Sequence, residues 1–344
     1  MKYLDLSGND IASMWLQVQV FNHLHNLKIL NLSRNRITEL ENGILLDLPN
    51  LERLDLSRNE LTRLSRAPFQ NQTRLEFLSL SENSISSIEQ SSLQGLSSNL
   101  RRLDVEKNKI KFIHDESLAH LVGLKTLNLL GNRLDSVPSA VKYLSDLTEL
   151  NLGENEISEL NSDFMLHGAN LTILILEGNK VESILSNTFN STRNLETLNL
   201  AHNRISNLQP DGFSQLTELK YLTLAENRLT DINGVLTSHP SLLRLNLSYN
   251  QLKWFDMAFF PRQLEELEIQ GNQVEELGNY YKLVEGFNLK YLDASSNKIS
   301  VLGQHTFVVS YLVLKLINTI SKKLAISRRV KFKEKFRVSF NLNI

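Results

Sequence analysis

One nine-residue frame, L-x-x-L-x-L-x-x-N, recurs thirteen times along this chain, and no other property restricts its fold as tightly. The frame is plainest in LKILNLSRN (27–35), LERLDLSRN (51–59), LETLNLAHN (195–203) and LKYLTLAEN (219–227). Its asparagines are Asn9, Asn35, Asn59, Asn83, Asn108, Asn132, Asn155, Asn179, Asn203, Asn227, Asn250, Asn272 and Asn297, at intervals of 22 to 26 residues. A unit this short cannot enclose a core of its own. It buries its apolar side only against the next copy, so the chain must grow as a stack.

Within each frame the inner leucines alternate at period two, as Leu30 and Leu32 do, which predicts a short strand with one face buried and the other free. The asparagine both donates and accepts through its amide and suits a turn where backbone groups leave the strand. Two residues further on comes another apolar position (Ile37, Leu61, Ile85), and three beyond that a second (Leu40, Leu64, Ile88), both directed inward. About ten residues after the asparagine, several repeats carry Phe69, Phe189, Phe213 and Phe307, with Leu93 and Leu118 in others. This column reads as a core spine on the convex side rather than as a ligand box. In LDSVPSAVKYLSDL, Pro138 stands at the start of the convex segment and predicts a short helix there. The expected fold is an α/β leucine-rich-repeat solenoid, a horseshoe with a parallel concave β-sheet and a mostly irregular or short-helical convex side. Thirteen strands at roughly 4.8 Å make a face on the order of 60 Å along its arc, a surface suited to a protein rather than a metabolite.

Two domains would fit in 344 residues, but a single pattern runs from residue 1 to 306. The net charge of −1 hides an asymmetry. Residues 307–344 hold nine Lys and Arg against Glu334 alone, a balance of +8, which leaves −9 on residues 1–306. The sequence therefore divides into a solenoid of about thirteen repeats, uncapped at both ends, and a tail, 307–344, that is first apolar and then basic. The leucine frame fails in that tail. Phe307–Ile320 is apolar but only 14 residues long and carries Lys315, short of the ~20 residues a spanning helix needs. The basic run that follows reads as a juxtamembrane anchor, a nucleic-acid arm or a mispredicted terminus. Met1 opens inside a repeat with no signal peptide before it, and bare Leu4, Leu6 and Ile11 read as truncation of a longer protein.

The chain contains no cysteine, which excludes disulfides, cysteine-ligated zinc and a cysteine nucleophile. The frames G-x-x-x-x-G-K-[ST], H-E-x-x-H and G-x-S-x-G are absent, so catalysis, a metal and a cofactor have no sequence support. The eight histidines, His23, His25, His114 and His120 among them, fall at loop or convex positions and read as surface residues. Five N-x-[ST] sequons begin at Asn31, Asn71, Asn170, Asn190 and Asn246. In a chain with 36 asparagines chance supplies about that many, so their number is no sign of secretion. Asn71, Asn170 and Asn190 sit on loops leading into strands. Asn31 and Asn246 lie between strand leucines and would place a glycan on the concave face.

The partner-binding candidates are the outward strand positions Phe77, Arg102, Ile173, Ile175, Tyr221, Arg244 and Tyr249, with Arg53 and Tyr291 beside them. Stray apolar residues are ordinary on a surface. Ile173 and Ile175 are the sharper case, because they flank Leu174 on one outward face where polar residues are expected. With Glu149, Glu154 and Glu177 nearby, the pattern suggests an apolar contact with an acidic rim.

The stretch Tyr249–Phe307 departs from bland consensus. It carries Trp254, Phe255 and Asp256 after a repeat, Pro261 before a strand, the run E-L-G-N-Y-Y (Glu276–Tyr281), and L-D-A-S-x-N-K-I (Leu292–Ile299). In these features it resembles the long insect Toll-type receptors, the Tollo and eighteen-wheeler group. The upstream repeats agree in length and style, so the resemblance covers residues 1 to about 307. Such receptors have an extracellular repeat domain, one membrane span and a cytoplasmic signalling domain, and this chain matches only the first. The resemblance implies a non-enzymatic receptor ectodomain fragment on the extracellular side of the plasma membrane. Its partner would be a secreted cystine-knot-type ligand or another cell-surface repeat protein, with no small-molecule substrate and no nucleic acid. The competing reading is a cytoplasmic leucine-rich-repeat scaffold or regulatory subunit.

Overall fold

The computed structural model describes residues 1–16, 19–161, 168–232, 234–254, 256–277 and 288–302, and three short strands beyond them. It is a parallel-strand solenoid with very little helix, in two compact units, residues 1–175 and 176–344.

In the first unit the sheet strands are β1 Tyr3–Asp5, β2 Ile29–Asn31, β3 Arg53–Asp55, β4 Phe77–Ser79, β5 Arg102–Asp104, β6 Thr126–Asn128, β7 Glu149–Asn151 and β8 Ile173–Ile175. Each is three residues long and pairs in parallel, in register, with its neighbours, so that Leu30 stands opposite Leu54 and Leu54 opposite Leu78. These leucines are completely buried, and the residues on either side of each point outward. In the second unit the strands are β9 Thr197–Asn199, β10 Tyr221–Thr223, β11 Arg244–Asn246, β12 Glu266–Glu268, β13 Tyr291–Asp293, β14 Val313–Lys315 and β15 Arg337–Ser339. The last two strands fall within the stretch that the sequence sets apart as a tail. Their backbone continues the parallel register, with Leu314 opposite Leu292 and Val338 opposite Leu314. The rest of that stretch, including Phe307 and the basic side chains, lies outside the described residues.

The repeat asparagines form a ladder. Asn59 is 8% exposed; its Nδ2 donates to the carbonyls of Leu56 in its own repeat and Leu32 in the one before, both at 3.0 Å. Its Oδ1 accepts the Ile37 N–H at 3.0 Å. Asn227 repeats the pattern in the second unit, donating to Leu224 and Leu200 and accepting from Ile205. Each amide thus satisfies backbone groups that would otherwise be buried without partners, and ties two consecutive repeats together. The residue just before the asparagine adopts the left-handed conformation in repeat after repeat: Arg34 (φ 55°), Arg58 (54°), Glu82 (52°), Lys107 (49°), His202 (53°), Glu226 (53°) and Tyr249 (52°). Glycine takes the same place at Gly271 (φ 68°), where a Cβ would also come within 2.5 Å of the Tyr249 ring.

On the loop side, Phe69, Phe189 and Phe213 are buried together with Leu93 and Leu118, as a core spine requires. Phe189 and Phe213 stack with centroids 5.7 Å apart. Pro138 precedes a 3-10 helix, Ser139–Tyr143, at its N-cap rather than inside its first turn. Elsewhere the loop side carries two-residue strands such as Ser87–Ile88 and Phe112–Ile113. His239 overturns the reading of every histidine as a surface residue. It is 3% exposed, with Nε2 2.9 Å from the Phe213 carbonyl and Nδ1 3.2 Å from that of Leu236. Polar contacts to backbone, rather than solvent, hold it in the loop-side core.

Candidate functional site

Each three-residue strand offers two outward positions, and they do different work. The second, four residues before the ladder asparagine, is mostly Asp or Asn, and its side-chain oxygen accepts the N–H two residues on. In the first unit this holds for Asp5, Asn31, Asp55, Asp104, Asn128 and Asn151, at 2.8 to 3.2 Å. In the second it holds for Asn199, Asn246 and Asp293. These are Asx turns that start the chain's departure from the strand. The first outward position has no such duty, and the variety of the sheet face is concentrated there.

In the first unit that position reads Arg53, Phe77 and Arg102 on three adjacent strands. The Arg53 guanidinium carbon lies 4.4 Å from the Phe77 ring centroid, a cation–π contact. Arg102 is exposed and reaches Asp104 only at 3.4 Å. Burial pushes the Asp104 carboxyl above its ordinary value, against the N–H of Glu106, which pulls it down. At β1 the opposite holds: the Ser7 hydroxyl and N–H, then the Tyr3 hydroxyl, hold Asp5 at about 2.

Further along the same unit, Ile173 stands opposite Glu149 and Ile175 opposite Asn151. Both isoleucines are half-buried around the fully buried Leu174. Ile175 occupies an Asx-turn position and has no acceptor to offer. Glu177 belongs to the second unit, where its Oε2 accepts from Asn199 at 2.8 Å.

In the second unit Tyr221, Arg244 and Glu266 form the corresponding row. Arg244 lies 5.5 Å from the Tyr221 ring centroid and gives its Nε to Glu266 Oε2 at 3.1 Å. With Thr223, Asn246 and Glu268 they line a hollow of about 280 Å³. Tyr249 departs from the strand position the sequence assigns it. The strand ends at Asn246, and Tyr249 sits in the following turn with φ 52°, 56% exposed and packed over Gly271. Tyr291 is on β13, its hydroxyl donating to Asp293 at 3.2 Å.

The sequons divide by environment. Asn71 and Asn190 are exposed on loops, and Asn170 is exposed with its Nδ2 donated to the Ser145 carbonyl at 2.9 Å. Asn31 and Asn246 are half-buried Asx-turn residues, and Asn246 also commits its Nδ2 to Glu268 at 3.1 Å. Sequence reasoning missed the Asx-turn column altogether, although its signal, Asp or Asn at a constant four residues before the ladder asparagine, is present. Also missed was a loop-side cleft of about 1000 Å³, lined in part by Arg66, Glu89, Gln94, His114, His120 and Tyr143. Among the described residues, no group of three or more His, Asp and Glu is arranged to hold a metal ion, and no helix is long and apolar enough to cross a membrane.

The family model described as leucine rich repeat matches residues 1–61, 49–98, 74–134, 98–157, 169–229 and 218–274. Toll-like receptor 7 of Drosophila melanogaster is 60% identical over 65 residues, which are 19% of this chain and 4% of that receptor. Among solved structures, a leucine-rich-repeat protein of Leptospira interrogans superposes with a TM-score of 0.72 at 27% identity, over 90% of this chain and 82% of that one. Toll from Drosophila, in its complex with Spatzle, superposes with a TM-score of 0.54 at 20% identity, over 87% of this chain and 48% of that one.

Proposed function

Because the chain belongs to the leucine-rich-repeat family, we propose that it is a protein-binding segment of a Toll-type receptor ectodomain, with no catalytic role of its own. The chain spans 4% of the curated relative through its aligned stretch and about half of the solved Toll chain, so the reading concerns a part of such a receptor. The long-receptor group of Tollo and eighteen-wheeler is the branch that Trp254, Pro261 and Leu292–Ile299 favour. The extracellular side of the plasma membrane is the corresponding location, with Asn71 and Asn190 the sequons most open to glycosylation.

Ile173 and Ile175 carry this reading. An aliphatic residue at an Asx-turn position gives up an acceptor that most strands of its unit keep, and leaves two branched side chains half-exposed side by side. Such a pair is an apolar anchor of the kind interfaces concentrate at their centre. The partner is a secreted protein of cystine-knot type or a second cell-surface repeat protein; the solved Toll–Spatzle complex pairs a similar solenoid with a protein ligand.

Purified Spatzle and related secreted cystine-knot proteins, passed over the immobilised chain, should yield at least one binder. The double substitution Ile173→Asp and Ile175→Asp should weaken it by roughly tenfold or more, with the unfolding transition unmoved. Absence of any binder, or binding indifferent to both substitutions, would sink the proposal.

A further inference from the structure

We infer that Arg53, Phe77 and Arg102 form an anion-binding subsite on the first unit that receives an aspartate or glutamate side chain of the partner protein. The inference rests on the protein-binding reading above and adds the chemistry of what is bound.

The three residues occupy the first outward position of β3, β4 and β5, which pair directly. Strand spacing puts the two arginine Cα atoms about 10 Å apart, with Phe77 between them. Arg53 is exposed, lies 4.4 Å from the Phe77 ring centroid and, among the described residues, forms no ion pair. A cation–π contact of this kind does not consume the guanidinium N–H donors. Arg102 is 47% exposed at its side chain, and its one carboxylate contact is long, at 3.4 Å. Asp55 and Asp104 each direct an oxygen to the N–H of their own turn, and the Asp104 side chain is only 13% exposed. An incoming carboxylate therefore meets two exposed guanidinium groups beside two acids that each already accept an N–H of their own turn. Charge-assisted, two-pronged bonds to carboxylate are what such a fork supplies.

Two comparisons on the same molecule favour this occupant. Arg244 in the second unit has the same aromatic support from Tyr221 and gives its Nε to Glu266 on its other side, whereas the corresponding neighbour of Arg53 is Ile29, which offers no carboxylate, so the chain itself shows a carboxylate taken up by an arginine of this kind. A nucleic acid would use Phe77 as a stacking platform, and that ring already carries a guanidinium.

The probe is a fluorescein-labelled hexaglutamate peptide, titrated against the folded chain beside hexalysine and a single-stranded oligonucleotide. Hexaglutamate should bind, and the pair Arg53→Gln and Arg102→Gln should weaken it roughly tenfold. Phe77→Ala, which frees the Arg53 guanidinium to wander, should weaken it roughly two- to fivefold. Arg63→Gln, at an exposed bend of the same unit, should leave it unchanged, and thermal unfolding of each variant shows whether the fold survives. The subsite is refuted if hexaglutamate fails to bind, if the paired Arg→Gln change has no effect, or if the oligonucleotide binds more tightly than the peptide. Failure here with the Ile173 and Ile175 result standing removes the subsite alone; loss of the cystine-knot binder with hexaglutamate intact removes only the broader reading.

Discussion

The first unit and the second each place an arginine against an aromatic ring on the sheet face, and the strand on the other side of that arginine decides what becomes of it. Beside Arg244, away from its ring, stands Glu266, which takes its Nε; beside Arg53, away from Phe77, stands Ile29, which offers no carboxylate. The local pieces are alike and the outcomes are not. Availability of a charge in a stacked fold is thus a property of neighbouring repeats, set by which side chain falls 4.8 Å or so along the stack. The ladder underneath does not share this freedom, since Asn59 and Asn227 make the same three kinds of bond in the two units.

That contrast can be broken at its base first. Asn59→Ala and Asn227→Ala each strand a buried N–H and carbonyls that cost about 1–3 kcal/mol apiece when left without partners. Both variants should lose several-fold more stability than any surface change, and by similar amounts, in denaturant unfolding followed by hydrogen exchange within each unit. Unequal losses would mean that the ladders are not equivalent. A smaller effect sharpens the arginine comparison. Arg244→Gln should cost less than about 1 kcal/mol, because its ion pair is exposed, and added salt should erase most of that cost. Arg53→Gln, with no ion pair to lose among the described residues, should show little of this salt dependence.

The smallest effect concerns the acids of the Asx-turn column in the first unit. Asp5 is held at about 2, below the ordinary 3.8, so its contribution to stability is complete above that ordinary value and disappears as pH falls toward 2. Asp104 is displaced upward by burial, so its sign is reversed: ionisation works against the fold, and stability is gained as pH falls through its raised value. Carboxyl NMR titrations should show the two moving in opposite directions from the ordinary aspartate, and Asp104→Asn, which keeps an acceptor for the Glu106 N–H, should remove the second dependence.

Much of this architecture was legible in the residues. The period-two leucines, the asparagine ladder, the phenylalanine spine and the helical turn after Pro138 all follow from burial, hydrogen-bonding capacity and fixed backbone angles. The parts that escaped are those where one residue type serves two environments. Tyr249 reads as an outward strand residue alongside Tyr221 and Tyr291, but the three-residue strand ends at Asn246 and leaves it in the turn. His239 falls at a loop-side position, which reads as surface, yet two backbone carbonyls accommodate it in the core. For the outward positions, sequence alone named Phe77, Arg102, Ile173, Ile175, Tyr221 and Arg244. It could not say that Arg244 was already engaged and Arg53 was not, because that depends on distances across strands 22 to 24 residues apart in the chain.

The left-handed residue before each ladder asparagine has a further consequence. Arginine, glutamate, lysine, histidine, tyrosine, serine and glycine all appear there, at φ near 50–70°, and valine, isoleucine, threonine and proline do not. Branching at Cβ, or a ring that fixes φ, is what that conformation resists. The backbone therefore works as a stencil along one border of the sheet: it lets evolution vary charge and length from repeat to repeat while withholding part of the amino-acid alphabet. A library built on this border should use only the permitted letters, and would then diversify the border of each unit without disturbing the stack that displays it.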